Sequence, residues 1–300
     1  MTTETAFTGI HAILYALFDA QERLDREAMR RQVEICVANG AHGVAALGLA
    51  TEVSKLSVPE RRSVMEWTSE DVADRKPLGF TIYGTSVAEQ IELVHAAQAA
   101  RADWVILQPP MVGSFGALEY IRFFGRVAEA THLPVAIQNA PAYMGRGLSA
   151  DDIKALVAQH PNIVLVKGEG PATEIRQLIE TTEGRLPVMN GRGGLELIEN
   201  LRAGCVGMIL APELIDLTVG IYERFVAGDE PAAEASYREV LPTIVFIMQS
   251  LESLICYGKR IFGVRAGIEI HDRGPAMRPT AFGLQLVDQH ARRAGPFAAG

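Results

Sequence analysis

The chain has 300 residues, of which 48% are hydrophobic and 21% charged, so it carries ample apolar material for one large α/β domain. Its net charge of −8, without any cluster of lysine or arginine, excludes a typical nucleic-acid-binding protein. No apolar run approaches the roughly 18 to 20 residues of a membrane span, and the start MTTETAFTG lacks the pattern of a signal peptide, so we expect a cytoplasmic protein.

Short apolar runs alternate with longer amphipathic stretches along most of the chain, a pattern typical of βα units in a parallel sheet. Because the runs are almost wholly apolar, they predict strands that are covered on both faces. The predicted strands are residues 9–17, 42–49, 77–83, 103–108, 133–138, 162–167, 186–190 and 204–210. The helical patterns that follow them cover residues 25–39, 59–72, 86–100, 117–130, 149–159, 172–182, 194–203 and 212–227. Ser149 is a predicted N-cap residue, and Pro59 suits a first helical turn.

Eight strands, each followed by a helix, predict an α/β protein of the (β/α)₈ TIM-barrel class over residues 1–228. An open doubly wound sheet is the alternative, but no GxGxxG motif follows the first strand. Beyond the barrel the periodicity is helical at residues 229–256 and 280–293. We therefore expect a C-terminal helical region over residues 229–300 that packs on the barrel.

Lys167 closes the sixth predicted strand, and barrel enzymes place their chemistry at the carboxyl ends of the strands. It is one of only five lysines, and the other four lie in polar or helical stretches where a solvated charge is expected. Burial in an apolar strand disfavours the ammonium form and leaves a neutral amine for attack on a carbonyl group. From the residues alone, the alternative is a lysine that points into solvent and pairs with Glu169.

Five motifs follow one another along the chain. They are Gly48-Leu-Ala-Thr-Glu52 with Leu56-Ser-x-x-Glu60-Arg61, then Pro109-Pro110, Gln138-Asn-Ala-Pro141, Val166-Lys167 and Ala203-Gly204-Cys-Val-Gly207. In this order and spacing, residues 8–227 resemble the pyruvate-dependent Schiff-base lyases typified by dihydrodipicolinate synthase and N-acetylneuraminate lyase. The resemblance implies a TIM barrel without a cofactor, a Schiff base at Lys167 with a small-molecule 2-keto acid, and a homotetramer or dimer.

The chain departs from the typical family pattern at several positions. Gln138 and Met111 stand where typical members have tyrosines, the first of which relays protons, and Leu49 and Ala50 replace two threonines that hold the substrate carboxylate. Tyr143 occupies the place of the arginine that dihydrodipicolinate synthase uses for its second substrate. Glutamine cannot shuttle protons at neutral pH, although it can orient a substrate oxygen. We therefore do not expect a true dihydrodipicolinate synthase.

A narrower resemblance involves the same segments. Gln138-Asn-Ala-Pro and Lys167-x-Glu-x-Pro171 are similar to the 2-keto-3-deoxy-L-arabonate dehydratases, which also have glutamine in the place of the tyrosine. That subgroup has an aromatic residue in the place of Met111 and an acidic pair in the place of Gly191-Arg192. The resemblance implies a lyase that dehydrates a 2-keto-3-deoxy sugar acid, with its exact substrate open.

The expected reaction begins when Lys167 attacks the C2 carbonyl to form an iminium, which acidifies the C3 proton. Glu169, directly or through water, is the candidate base, and Gln138 is expected to orient a substrate oxygen. Loss of the C4 hydroxyl then completes a dehydration, whereas cleavage of the C3–C4 bond would make the protein an aldolase or, in reverse, a synthase. A barrel that only binds keto acids is the remaining alternative.

Seven further positions are predicted to contact the substrate: Gly48, Ala50, Thr51, Met111, Asn139, Gly191 and Ile209. Simpler roles stay open for several polar residues. Thr51 could cap a turn, Glu52 could fix its loop, Glu169 could serve in an ion pair, and Arg192 could bind a carboxylate or lie in solvent.

The cysteines and histidines favour no metal site. Cys36, Cys205 and Cys256 share no CxxC spacing, which indicates reduced thiols. The seven histidines show no common spacing, since His11 lies within the first predicted strand and His42 begins the second. We therefore expect no bound metal.

Overall fold

A computed structural model describes residues 7–298 and shows eight parallel strands that close into a barrel, with β8 beside β1. This confirms the predicted (β/α)₈ class. In chain order the strands β1 to β8 are Gly9–Ile13, Gly43–Ala46, Leu78–Ile82, Trp104–Leu107, Val135–Asn139, Ile163–Gly168, Val188–Asn190 and Gly207–Leu210. Nearly every strand residue is buried, as the wholly apolar runs predict.

Helices surround the barrel and connect the strands. Helices α1 to α9 are Arg26–Ala38, Val58–Val72, Val87–Ala99, Ala117–Ala128, Pro141–Met144, Ala150–Gln159, Ala172–Thr181, Leu197–Ala203 and Ile215–Val226. Two helix starts carry capping boxes, one from Ser57 and Glu60 at α2 and one from Ser149 and Asp152 at α6. Each box satisfies backbone N–H groups that the first turn leaves without partners, so the sequence itself sets where these helices begin.

The first strand is shorter than predicted, because it ends at Ile13 and not near residue 17. The Gln32 side chain accepts a hydrogen bond from the Tyr15 N–H at 2.9 Å and donates one to the Tyr15 carbonyl at 3.0 Å. A side chain from α1 therefore replaces the neighbouring strand as the partner of this backbone. The apolar run continues to residue 17 because the segment stays buried, not because it stays in the sheet.

The C-terminal region contacts the barrel, and its first predicted helix is wrong in extent. The helix α10 ends at Ile247, and a second helical segment runs from Leu251 to Ala266 at 106° to it. Ser250 adopts an extended backbone and accepts a hydrogen bond from the Ser253 N–H, so it ends one helix and caps the next.

The elements of this region are α10 Glu230–Ile247, α11 Leu251–Ser253, a π-helical turn Leu254–Gly258, α12 Lys259–Ala266 and α13 Ala281–Ala294. Within residues 7–298 no single helix is long and apolar enough to cross a membrane. The bent pair formed by α10 and the segment ending at Ala266 meets that test only by length and composition.

Candidate active site

Lys167 lies near the carboxyl end of β6, paired in register with Gln138 of β5 and Met189 of β7. Its side chain is 4% exposed, and its Nζ lies 3.3 Å from Oε1 of Glu169. Glu169 is also buried. Its backbone N–H donates a hydrogen bond to the Asn139 carbonyl, which holds Glu169 beside the end of β5. Both alternatives for Lys167 thus contain part of the answer: the lysine is buried, and it pairs with Glu169.

A row of amides fixes the Glu169 carboxylate. Gln138 donates a hydrogen bond to Glu169 Oε2 at 2.5 Å, and the Gln108 side chain donates one to the Gln138 side-chain oxygen Oε1 at 2.8 Å. Gly191 leaves room for the other oxygen, because a Cβ atom there would lie 2.5 Å from Glu169 Oε1. Gln138 therefore orients the carboxylate of Glu169, and its predicted contact with a substrate oxygen stays a prediction.

Lys167 and Glu169 line a cavity that opens at the carboxyl ends of the strands, among eleven other residues. Its polar side chains are Lys167, Glu169, Tyr143 and Arg192. The remaining lining is apolar or glycine: Ile13, Leu49, Ala50, Gly193, Ile209, Ala211, Met248, Leu251 and Leu254. Ala50 and Ile209, both predicted to contact the substrate, belong to this cavity.

The C-terminal helical region supplies part of this wall through Met248, Leu251 and Leu254. Sequence reasoning missed these residues, because it treated the region as an outer layer on the barrel. The break after Ile247 and the π-helical turn place them over the strand ends. Irregular helical turns of this kind are often found at functional sites.

The loop after β2 presents two backbone amides at the cavity. Leu49 and Ala50 line it, and within residues 7–298 neither of their N–H groups donates to a protein acceptor. The Thr51 and Glu52 amides instead close a turn onto the carbonyls of Gly48 and Leu49. The Thr51 hydroxyl donates to the Leu14 carbonyl at 2.6 Å, and its side chain is fully buried, so it serves the loop and not the cavity.

Five of the seven predicted substrate-binding residues are not among those that line the cavity: Gly48, Thr51, Met111, Asn139 and Gly191. The Asn139 side chain bonds the backbone of Leu148, donating to its carbonyl at 3.0 Å and accepting from its N–H at 2.8 Å. Met111 lies in the loop after β4, partly exposed, and is not among the residues that line the cavity. The structure therefore does not bring these two side chains together with Lys167.

Tyr143 and Arg192 form a second polar group in the same cavity. The Arg192 guanidinium donates to the Tyr143 hydroxyl oxygen, and its Nη1 lies 2.6 Å from Glu196 Oε2. Burial raises the pKa of Tyr143, and the negative charge of Glu169 acts in the same direction. The phenol therefore remains a hydrogen-bond donor at neutral pH.

Behind the cavity, Lys259 is fully buried and forms an ion pair with Glu52. Its Nζ also donates to the Ala16 carbonyl at 3.1 Å, and Lys55 lies 2.5 Å from the other Glu52 oxygen. Burial lowers the pKa of Lys259, an effect that Glu52 opposes. The expectation that every lysine except Lys167 is solvated is therefore wrong for Lys259. Glu52 does fix its loop, since these contacts tie the loop to α12.

A second buried acidic group lies nearby. Tyr15 donates a hydrogen bond to Glu213 Oε2 at 2.8 Å, and both side chains are buried. Burial raises the pKa of Glu213 to about 7, although the Tyr15 hydrogen bond and Arg265 partly oppose the effect. Cys36 is also buried in this region, and burial raises the pKa of its thiol.

No group of three or more His, Cys, Asp or Glu residues is arranged to hold a metal ion anywhere in residues 7–298. His11 is buried at the opposite end of the barrel from Lys167, edge-on to Trp104. Burial lowers its pKa to about 4, so it is neutral at physiological pH.

Known proteins are similar in sequence to this chain over most of its length. YagE of Escherichia coli K12, provisionally named a 2-dehydro-3-deoxy-D-gluconate aldolase, is 30% identical over 249 residues, which are 80% of this chain and 81% of that protein. A 4-hydroxy-tetrahydrodipicolinate synthase of Methanoculleus marisnigri is 29% identical over 242 residues, covering 79% of this chain and 82% of that protein. Both names describe lyases of the expected kind.

The fold and the family model agree with these relatives. A crystal structure of a provisionally named dihydrodipicolinate synthetase from Pseudomonas aeruginosa matches with a TM-score of 0.90 at 27% identity, covering 96% of this chain and 99% of that one. The model of the dihydrodipicolinate synthetase family matches residues 6–272. The chain is therefore a lyase that belongs to the dihydrodipicolinate synthetase family.

Proposed function

We propose that this protein forms a Schiff base between Lys167 and a 2-keto-3-deoxy sugar acid and eliminates water from it. The observation that carries the proposal is the position of the Glu169 carboxylate. Its Oε2 accepts a hydrogen bond from the Gln138 side chain at 2.5 Å, and its Oε1 lies 3.3 Å from the Lys167 Nζ. A base fixed beside the nucleophile can accept its proton and later act on the substrate carbon next to the iminium. Gln138, Glu169 and Lys167 are thus the proposed catalytic unit, with Gln138 in a positioning role.

Substrate binding begins at the two loop amides. The C1 carboxylate accepts hydrogen bonds from the N–H groups of Leu49 and Ala50, which line the cavity and lack protein acceptors within residues 7–298. Lys167 passes a proton to Glu169 and attacks C2, and the C2 oxygen leaves as water to form the iminium. The apolar lining around Ile209 excludes bulk water, which strengthens the charge interactions inside the cavity.

The bond that breaks next depends on which proton the site can remove. The iminium draws electrons from C3, so the C3–H proton is acidic, and Glu169 lies close enough to Lys167 to accept it. The resulting enamine expels the C4 hydroxyl, which leaves as water with the proton from Glu169. Aldol cleavage would instead need a base at the C4 hydroxyl, the task that the tyrosine at the position of Gln138 serves in typical relatives.

Product analysis separates these two reactions. The purified enzyme is incubated with 2-keto-3-deoxy-L-arabonate and the products are followed by proton NMR. Dehydration gives 2-ketoglutarate semialdehyde, the expected product. A pyruvate methyl signal as the main product would assign the chain to the aldolases, the activity named for the relatives YagE and YjhH of Escherichia coli K12. If the substrate is trapped on Lys167 but neither product forms, the site binds the keto acid and this substrate is the wrong one.

We further propose a cytoplasmic homo-oligomer, either a tetramer or a dimer. Exposed large apolar side chains between the end of β4 and the first turn of α4 support an interface there, since Phe115 is 52% exposed and Leu118 is 60% exposed. Cysteines that are buried and unpaired support a reducing compartment. Light scattering coupled to size exclusion measures the assembly, and a monomer at micromolar concentration would contradict it.

A further inference from the structure

We propose that the substrate carries a second carboxylate at the end remote from its keto group, and that Arg192 and Tyr143 bind this carboxylate. The inference rests on the proposed Schiff-base function and adds the chemical class of the substrate, a 2-keto-3-deoxy sugar acid with a carboxylate at each end. Arg192 becomes the residue that determines specificity.

Arg192 lies in the same cavity as the proposed nucleophile. Its side chain lines the space that also contains Lys167, Glu169 and Tyr143, although it follows β7 and not β6. It is 21% exposed, so a bound anion would be largely removed from water. Charge-assisted hydrogen bonds strengthen when water is excluded, which makes this position more than a solvated surface charge.

The contacts of Arg192 hold it in place and leave donors for a ligand. Its Nη1 bonds Glu196 at 2.6 Å, and Glu196 is 38% exposed and does not line the cavity. The guanidinium donates to the Tyr143 oxygen, so the Tyr143 hydrogen remains to be donated elsewhere. The planar guanidinium carries five N–H donors and no acceptor. Together the two side chains present converging donors, the arrangement that suits a carboxylate.

The rest of the lining offers no other partner for a polar distal group. Apart from Lys167 and Glu169, which serve the reacting carbons, the side chains around the cavity are apolar, such as Met248, Leu251 and Leu254. A substrate that ends in a carboxylate can therefore find a counter-charge only at Arg192 within the described lining. A substrate that ends in a methyl group would leave the guanidinium desolvated without a partner.

The backbone supports a functional role for this position. Arg192 has φ +52° and Gly193 has φ +59°. Both values lie in the left-handed region, which is uncommon for residues other than glycine, asparagine and aspartate. Such backbone strain clusters at ligand-binding sites, where the surrounding structure maintains it. Here it directs the side chain that follows β7 into the cavity.

The test compares two keto acids of equal length, 2-oxoadipate with a distal carboxylate and 2-oxohexanoate with a distal methyl group. Each is titrated against the full-length enzyme with borohydride, and the labelling of Lys167 is measured by mass spectrometry. The variants are Arg192→Gln, Glu196→Gln and the control Arg176→Gln, which removes an equal charge from an exposed pair on α7. Melting temperatures show whether each variant is folded.

For wild type and Arg176→Gln, we expect the concentration that gives half-labelling to be at least about 10-fold lower for 2-oxoadipate than for 2-oxohexanoate. This factor corresponds to one charged hydrogen-bonded pair between Arg192 and the distal carboxylate. Arg192→Gln should lose this preference, and Glu196→Gln should keep or increase it. Equal half-labelling by both acids, or a preference unchanged in folded Arg192→Gln, overturns the inference while the adduct still supports the proposed function. Absence of any Lys167 adduct rejects the Schiff-base function and this inference with it.

Discussion

Glu169 is the residue that distinguishes the proposed mechanism from that of relatives with a relay tyrosine. We expect Glu169→Gln to keep the Schiff base and to lower the dehydration rate by roughly 10²- to 10⁴-fold, the usual contribution of a general base. The neutral amide still fits between Gln138 and Lys167 but cannot accept the C3 proton. Borohydride labelling and the initial rate are both measured. A variant that turns over at the wild-type rate would show that another group is the base.

The Glu213 carboxyl predicts a pH-dependent stability. Its pKa is raised from 4.5 to about 7 in the folded protein, so the folded state binds this proton more tightly than the unfolded state. The contribution of this bound proton to the free energy of unfolding is fully present below pH 4.5 and is lost as the pH rises through 7.

We expect Glu213→Gln, which keeps an acceptor for the Tyr15 hydroxyl, to gain stability relative to wild type as the pH rises from 5 to 8. The gain should be on the order of 1 to 3 kcal/mol. Urea titrations at pH 5 and pH 8 measure it. A difference between the two proteins that does not change with pH would show that Glu213 titrates normally.

Residues near each other in sequence were the most predictable part of the site. Lys167 and Glu169 are two residues apart at the end of an apolar strand, so their proximity follows from the strand itself. The buried partner of Lys259 is 207 residues away, and no local pattern indicates it. Arg192 could be placed at a strand end, but its approach to Tyr143 depends on how two loops pack.

At the scale of elements, the uniform apolar runs predicted every strand, because burial on both faces leaves one simple pattern. The errors lie where burial and secondary structure separate. Residues after Ile13 remain buried while the Gln32 side chain replaces the sheet partner. The helix break at Ser250 interrupts an apolar region whose composition continues on both sides.

The Lys259–Glu52 pair joins two elements, since it ties α12 to the loop after β2. We expect Lys259→Met to destabilise the protein by about 2 to 4 kcal/mol, because a buried carboxylate loses one partner. Lys55 remains as a second partner of Glu52 and limits the loss. Urea denaturation measures the change.

The control for this prediction is Lys154→Met, which breaks an exposed pair with Glu183 and should cost within about 0.5 kcal/mol. If the two variants were equally stable, the Lys259–Glu52 pair would not anchor the loop. That outcome would be a free energy of unfolding equal to that of wild type in both Lys259→Met and Lys154→Met.

At the scale of the whole molecule, residues 229–300 were predicted as a helical region that packs on the barrel, and several contacts join the two parts. Arg265 of α12 pairs with Asp216 of α9, and Tyr237 of α10 donates a hydrogen bond to the Gly194 carbonyl. The region also forms part of the wall of the cavity that contains Lys167. Whether the barrel, residues 1–228, and the C-terminal region fold as two units or as one is a matter for the next prediction.

We expect the barrel and the C-terminal region to unfold together in a single transition, because their contacts include buried charged groups. Both tryptophans, Trp67 and Trp104, lie in the barrel and report its tertiary structure, whereas far-ultraviolet circular dichroism reports helices throughout the chain. Urea transitions from the two probes should coincide. Separate midpoints would indicate that residues 229–300 unfold as an independent unit.

The central claim is that Lys167 is the nucleophile. The most direct test is peptide mapping by mass spectrometry after pyruvate, or a longer 2-keto acid, is added together with borohydride. We predict one reduced adduct on Lys167 and none in Lys167→Ala, with the buried Lys259 and the exposed Lys154 unlabelled in both proteins. An adduct on either of those lysines, or no adduct with any keto acid, would contradict the account.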